Sequence, residues 1–197
     1  MPDTGVSADA PPRLEELLDI AARLFNEKGF RATSLAEIGD ALGMNKASLY
    51  YYVKSKDDLL TRVIYRASQK LRDLAKTVSR DADDPAVALK QLIENHCRTI
   101  LDHPDEFGTV IFQRRYISPA ISSEIAGRER TYADTVKSLI EKGIDTGAFR
   151  PMDAGVATQS ILDAVNGILR WYRPNGRLSR DDAIAEVVAF VDAAVTK

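Results

Sequence analysis

An all-α chain, with a small N-terminal helix-turn-helix module ahead of a larger helical part, is the fold class this sequence predicts. Three observations point to it. Apolar residues recur at helical spacing from Arg13 onward, and no stretch alternates as a half-buried strand requires. The interruptions fall on Gly, Pro, Ser, Asn and Asp, the residues that open and close helices. About nine helices are expected on these signals, with no internal repeat and no low-complexity segment.

Leu14, Leu17, Leu18, Ala21 and Phe25 lie at i, i+3, i+4, i+7 and i+11, one stripe of a first helix. It ends at Lys28, with Gly29 as the residue beyond the cap. Ser34-Leu35-Ala36-Glu37 is a capping box and opens a short second helix, which Gly43 closes. Asn45 caps a third helix over 46–52, and Ser55-Lys56-Asp57-Asp58 opens a fourth that carries Leu59, Leu60, Val63 and Ile64. The polar run 79–85 is a loop before a helix over about 86–101. Pro104 and Pro119 each favour a helix start, the first leading through Tyr116 and the second into a helix over about 121–145 that stops at Gly147. A helix over about 153–172 follows Pro151 and meets the break Arg173-Pro174-Asn175-Gly176. The last helix, capped by Ser179, carries Ile184, Val187, Val188, Val191 and Val195 on one face.

Composition sets bounds on function. Apolar residues make up 45% and charged residues 28% of 197, the balance of a soluble globular chain. No apolar run approaches the eighteen or so residues of a membrane span, and the first residues lack the basic and apolar regions of a signal peptide. A disordered arm over 1–12, no membrane partner and a cytoplasmic location are therefore expected. The lone Cys97 forms no internal disulfide and supports no multi-thiolate metal site. Net charge is −2, yet residues 13–72 hold eleven Lys and Arg against eight Asp and Glu, so the N-terminal part is locally basic while the remainder repels DNA.

The motif that carries chemistry is the pair of short helices within 34–53. A tight turn at Gly43-Met44-Asn45 sets the second helix across the first, with Ala41, Leu42, Met44 and Leu49 filling the space between them. In such a unit the second helix enters the major groove and its N-terminal residues approach bases and phosphates. Those residues are Lys46, Ala47, Ser48, Tyr50, Tyr51 and Tyr52. Lysine supplies charge, alanine a close approach and a contact for a thymine methyl, serine and tyrosine hydroxyls for phosphate. Successive helical residues point about 100° apart, so the three tyrosines cannot all face inward. Lys56, in the first turn of the fourth helix, is expected to anchor a phosphate there.

The run FNEKGFRATSLAEIGDALGMNKASLYYYVKSKDDLL, from Phe25 within a match over residues 17–60, resembles the N-terminal domain of the TetR family of repressors. It shares the Phe-x-x-x-Gly-Phe helix end, Thr33-Ser34, Ile38, Gly43, Leu49-Tyr50 and Lys54-Ser55-Lys56; Val53 departs from the Phe of many members, at a position that affects packing. The resemblance implies that Ser34, Lys46, Ser48, Tyr50, Tyr52 and Lys56 contact double-stranded operator DNA. It also implies a DNA-binding domain over 13–74 and a ligand-binding and dimerisation domain over 75–197, whose last two long helices pair with those of a second copy. Independently, Ile161, Val165, Ile168 and Tyr172 form one apolar face of the penultimate helix and Leu162 and Leu169 another, so that helix needs partners on several sides. The expected homodimer interface is Ile161, Val165, Ile168, Tyr172, Ile184, Val187, Val188, Val191 and Val195. A two-fold protein suits half-sites about 34 to 36 Å apart.

For a small-molecule effector, bulky apolar groups with a few polar ones on adjoining helices are the candidates: Phe107, Phe112, Arg115, Tyr116, Tyr132, Leu162, Asn166, Arg170 and Trp171, with Ile111 beside them. The segment Arg170 to Gly176, RWYRPNG, is similar to one in TetR-family members that sense fatty acyl-CoA or steroid-derived CoA thioesters, and Arg114, Arg115, Arg170 and Arg173 are of the type that meets phosphates. Other planar or lipophilic effectors are the alternative, as is a solvated charged face for the arginines. An enzyme finds little support. His96 and Cys97 are adjacent and point apart, read as a buried thiol and, with His103, surface or capping imidazoles. No His-x-x-x-His or Glu-x-x-His pair offers metal ligands, and neither a catalytic residue nor a cofactor is expected. An activator remains the alternative to a repressor.

Overall fold

The computed structural model describes residues 12–78 and 83–196, and all of the regular structure there is helical. The expected arm falls outside the described residues except for Pro12, as do residues 79–82 of the loop before the fifth helix. The elements are α1 (Pro12–Lys28), α2 (Leu35–Ala41), α3 (Lys46–Tyr52), α4 (Lys56–Thr77), α5 (Pro85–Asp102), α6 (Pro104–Gln113), α7 (Pro119–Asp145), α8 (Ala154–Asn166), α9 (Ile168–Trp171) and α10 (Arg180–Val195). The expected order is therefore found, with two differences. The helix begun at Pro104 ends at Gln113 and tightens into a 3-10 turn at Arg114–Tyr116. The expected helix over 153–172 is cut at Gly167 into α8 and α9, where the Arg170 amide bonds back to the Gly167 carbonyl at 2.9 Å.

The chain divides into two units, the first made of residues up to Gln69 with His103–Ala126, the second of Lys70–Asp102 with Gly127–Lys197. In the first, the predicted stripe of α1 is the core: Leu14, Leu17, Leu18, Ala21 and Phe25 are buried with Ile38, Leu49, Val53, Leu59, Leu60, Val63 and Ile64. Gly29 takes φ +87°, which ends α1 where a side chain would be strained. The buried Thr33 hydroxyl is shared between the carbonyls of Leu24 and Gly29, at 3.2 and 3.0 Å, and so satisfies orphan acceptors at that end. Helix α6 belongs to this unit and is stitched to α1. Thr109 Oγ1 donates to the Ala22 carbonyl at 3.1 Å, and the Phe30 amide donates to Gln113 Oε1 at 3.1 Å. Gly108 lies so close to Asn26 that an added Cβ would sit 2.2 Å from its Oδ1.

Arg66 of α4 is the polar centre of the same unit. Its guanidinium meets Glu15 at 2.7 Å and Asp19 at 2.6 Å on α1, and Glu106 at 2.8 Å on α6. Glu15 and Asp19 are well exposed, whereas Arg66 and Glu106 are nearly sequestered, so the Arg66–Glu106 pair is the buried one.

The second unit packs α10 against α5 and α8. Here the structure corrects an expectation. Ile161, Val165, Ile168, Ile184, Val187, Val188, Val191 and Val195 are all buried inside one chain, and Tyr172 is half-buried. The apolar stripe expected to meet a second copy is the core that joins these helices, because burying it against α5 already removes it from water. What α8 and α10 leave exposed is their other side: Val156 and Phe190, each about two-thirds exposed, with Ala185, Ala189 and Ala193. Beyond α7 the chain folds Phe149 over Gly143, where a Cβ would lie 2.0 Å from the ring, and Arg150 closes the end of α10 through the carbonyls of Val195 and Ala194, both at 2.9 Å.

Candidate nucleic-acid interface

The reading head is α2, the turn and α3, and its geometry follows from the caps. Ser34 Oγ accepts the Glu37 amide at 3.1 Å and Asn45 Oδ1 accepts the Ser48 amide at 2.8 Å, so each short helix starts with a satisfied donor. Gly43 turns the chain at φ +63° and the Met44 amide returns to the Gly39 carbonyl at 2.8 Å. Gly39 is the close approach between the helices: a Cβ there would stand 3.3 Å from the Met44 carbonyl and 3.5 Å from Leu49. Leu49, Met44 and Val53 are buried and Leu42 half-buried, but Ala41, expected in this small core, is exposed.

Anchoring α3 by Leu49 leaves its opposite side outward. Lys46 and Ala47 are exposed, Ser48 half-buried, Tyr50 48% exposed and Tyr51 83% exposed, while Tyr52 is half-buried with its ring edge-on to Tyr51 at 5.2 Å. Two of the three tyrosines thus face solvent. Lys46 Nζ lies 5.9 Å from the centre of the Tyr50 ring, so a cation and a phenol share one patch. Ser34 is exposed at the start of α2, its hydroxyl proton free of the cap in which its oxygen accepts. Lys54, exposed just past α3, is a cation that sequence reasoning passed over as a contact although it stands in the motif Lys54-Ser55-Lys56.

Lys56 has a structural part beyond the expected one. Its ammonium donates to the carbonyls of Phe30 and Thr33, both at 2.8 Å, and sits 4.4 Å over the Phe30 ring. Two of its three protons are thereby used to hold the segment between α1 and α2, which makes Lys56 a brace of the head, with one proton left over. The amides at this helix start are engaged too: Asp58 Oδ2 accepts from Lys54 at 2.9 Å and Ser55 Oγ accepts from Asp58 at 3.1 Å. Lys56→Met is expected to lower head stability by about 2 kcal/mol, since two part-buried carbonyls lose a charged donor; thermal unfolding followed by circular dichroism measures it.

The effector candidates fall into both units. In the first, Phe107 is buried in α6 and Phe112 and Arg115 are exposed. Tyr116 stacks on Phe30 at 5.4 Å and is flanked by Arg31 and Arg115 at 5.2 and 5.0 Å, which makes it part of the head's own packing. In the second, Leu162 and Asn166 are half-buried, Arg170 and Trp171 are exposed, and Tyr132 is buried with its hydroxyl 3.0 Å from His96 Nδ1. His96, expected as a surface or capping imidazole, is 1% exposed. Its partner lies 36 residues away, so nothing near it in sequence signals burial.

Burial pushes the His96 imidazole down from 6.5 to about 3 and the Cys97 thiol up to about 12, so both are neutral near pH 7. Because the unfolded chain takes up a proton on His96 that the folded chain refuses, stability from this group is fully present above pH 6.5 and is lost as pH falls toward 3. The slope approaches about 1.4 kcal/mol per pH unit. Melting temperatures of the wild type and His96→Phe, taken between pH 7 and 4.5, should diverge, with the variant falling less steeply. Among the described residues, no group of three His, Cys, Asp or Glu is placed to hold a metal, and no helix is long and apolar enough to cross a membrane.

Two family models match this chain. The model described as "Bacterial regulatory proteins, tetR family" covers residues 17–63, the head just described, and "Tetracyclin repressor-like, C-terminal domain" covers residues 82–195. The chain is similar to the HTH-type transcriptional repressor KstR2 of Mycobacterium tuberculosis, 28% identical over 98% of this chain and 97% of that protein. The structure of that ketosteroid transcriptional regulator superimposes with a TM-score of 0.86 at 27% identity, covering 98% of this chain and all of the other. PfmR of Thermus thermophilus, a TetR family transcriptional regulator, gives a TM-score of 0.82 at 27% identity over 93% and 95% of the two chains. The HTH-type transcriptional activator FasR of Mycolicibacterium smegmatis is 24% identical over 90% of this chain and 80% of its own length.

Proposed function

This chain is a member of the tetR family of bacterial regulatory proteins, a transcriptional regulator with a helix-turn-helix DNA-binding head, and from that premise we propose that it acts as a homodimeric repressor. Its two copies of α3 read a two-fold symmetric operator in the cytoplasm, and a lipophilic effector in the C-terminal domain releases them. The observation that supports this reading best is the exposed face of α3. A seven-residue helix pinned by Leu49 carries Lys46, Ala47, Tyr50 and Tyr51 outward, where a helix with no partner would favour smaller polar groups. Lys46 and Ala47 address base edges; Ser34, Ser48, Tyr50, Tyr51, Tyr52 and Lys54 address the backbone.

The dimer forms through the outward side of α8 and α10, centred on Val156 and Phe190, with the buried valines and isoleucines as the rigid backing of that face. The effector is an acyl-CoA or steroid-derived CoA thioester. Arg170 and Arg173 are exposed cations for its phosphates and Trp171 an exposed flat surface in the same segment, and the similarity to KstR2, whose structure is described as that of a ketosteroid regulator, supports this class. Coupling requires only that the effector prefer the arrangement of heads that does not fit the operator, by typically about 1–3 kcal/mol.

Binding of labelled DNA from the chain's own upstream region, titrated with and without fatty acyl-CoA and steroid-CoA thioesters, tests the proposal. Loss of the complex on addition of one class supports it, and unchanged affinity across the panel contradicts the sensor. Light scattering should give twice the chain mass of 21.7 kDa. The similarity to FasR favours one second reading, activation, which a reporter decides: deleting the regulator raises transcription for a repressor and lowers it for an activator.

A further inference from the structure

We infer that His96 is the polar contact of an effector site in the second unit, its Nε2–H donating to an uncharged carbonyl oxygen carried on an apolar skeleton. The inference rests on the effector-responsive reading above. His96 on α5 and Tyr132 on α7 are 1% and 2% exposed, their rings meet edge to face at 4.9 Å, and Tyr132 Oη lies 3.0 Å from Nδ1. Nδ1 is the one hydrogen-bond partner of the Tyr132 hydroxyl among the described residues, so satisfying that hydroxyl's proton means donating it to Nδ1 and leaves the ring proton on Nε2. No group among the described residues hydrogen-bonds Nε2. A buried donor without an acceptor calls for an explanation, and this one is held in a fixed direction by a second buried polar residue, which suits it to meet a bound group.

The neighbours define the chemistry. Leu92, Ile93 and Ile100, one turn away on α5, are buried and apolar, and Cys97 beside them is a protonated thiol. Catalysis is not what this pair is built for, since no carboxylate orients the imidazole and the thiol stays neutral. A metal is no better served, since among the described residues no third ligand joins the pair. An imidazole that burial keeps uncharged offers one neutral donor, which suits a ketone or a thioester carbonyl and does not compensate a carboxylate or phosphate. The same carbonyl chemistry is supplied by a steroid ring or by an acyl-CoA, and the arms of the test separate the two.

The full-length protein is titrated, by calorimetry, with androst-4-ene-3,17-dione and octanoyl-CoA, and with androstane and S-octyl-CoA as counterparts that lack the carbonyl. His96→Asn keeps a group at the place of Nδ1 for Tyr132 and nothing at Nε2; His96→Gln does the reverse. One of the two carbonyl probes should bind the wild type, lose about tenfold in affinity in His96→Asn and less than about threefold in His96→Gln. Its carbonyl-free counterpart should bind all three proteins alike. With only two histidines in the chain, the Nε2–H resonance of His96 is also directly assignable by nitrogen-15 NMR of the wild type and should shift on addition of the binding probe, whether or not either variant folds. A carbonyl probe that binds and displaces operator DNA equally from wild type and His96→Asn, with an unmoved His96 resonance, overturns the assignment while leaving the effector reading intact. Failure of both carbonyl probes to bind the wild type overturns the ligand class itself.

Discussion

Replacing Arg66 with methionine is expected to destabilise the N-terminal unit by about 3–5 kcal/mol, because it takes the 2.8 Å counter-charge from the buried Glu106 carboxylate and leaves it the His103 imidazole at 3.8 Å. Glu106 is almost sequestered and faces Arg66 at 2.8 Å, whereas the other two carboxylates of the cluster are open to water and would simply resolvate. Exposed pairs of that kind are worth up to about 1 kcal/mol, so the loss is concentrated on Glu106. The double variant Arg66→Met, Glu106→Gln should recover a large part of the loss, since removing both buried charges is far less costly than removing one. Chemical denaturation of the four proteins of this cycle measures the coupling. An additive result would show that Glu106 is held by other partners and that Arg66 is not its counter-charge. Because the cluster ties α4 and α6 to α1, the single variant should also bind operator more weakly at temperatures where its head begins to unfold.

Lys46→Ala should weaken operator binding by about 1–3 kcal/mol per half-site, and so about 2–6 kcal/mol for a dimer that carries the change twice. Lys46 lies against the Tyr50 ring on the exposed face of α3, at the end of the helix that approaches bases in this kind of head. The variant should retain the wild-type melting temperature, since Lys46 is exposed and no core residue depends on it. Its discrimination between operator variants should narrow, as removal of a residue that addresses base edges requires. Tyr50→Phe should cost less, removing a hydroxyl while keeping the ring beneath Lys46.

The head was legible in the sequence because its determinants are local. Ser34, Asn45 and Ser179 cap the helices they were expected to cap, and Gly29, Gly43 and Gly147 take the left-handed backbone at the three expected stops. The stripe of α1 is buried as its spacing required. Gly167 was not readable as a break, since its φ of −59° is ordinary helical backbone and the sequence around it keeps its apolar spacing.

The site was legible only in part. Amphipathicity says that a face is buried and not against what, and so the valines of α10, packed on α5 and α8, were indistinguishable in sequence from an intersubunit stripe. The bracing part of Lys56 was hidden for a related reason. Its partners are backbone carbonyls 23 and 26 positions away, which carry no side-chain signature. His96 and Tyr132 meet across two helices, and their pairing rests on tertiary packing that no short window contains.

The most direct test of the account is a titration of fluorescently labelled upstream DNA, against a scrambled duplex of equal length, with the wild type and a Lys46→Ala, Tyr50→Ala variant of unchanged melting temperature. The wild type should prefer its own sequence by about 10³-fold or more, and the variant should lose most of this preference while keeping weak, salt-sensitive binding. A variant that still discriminates as the wild type does would contradict the claim that α3 reads the operator.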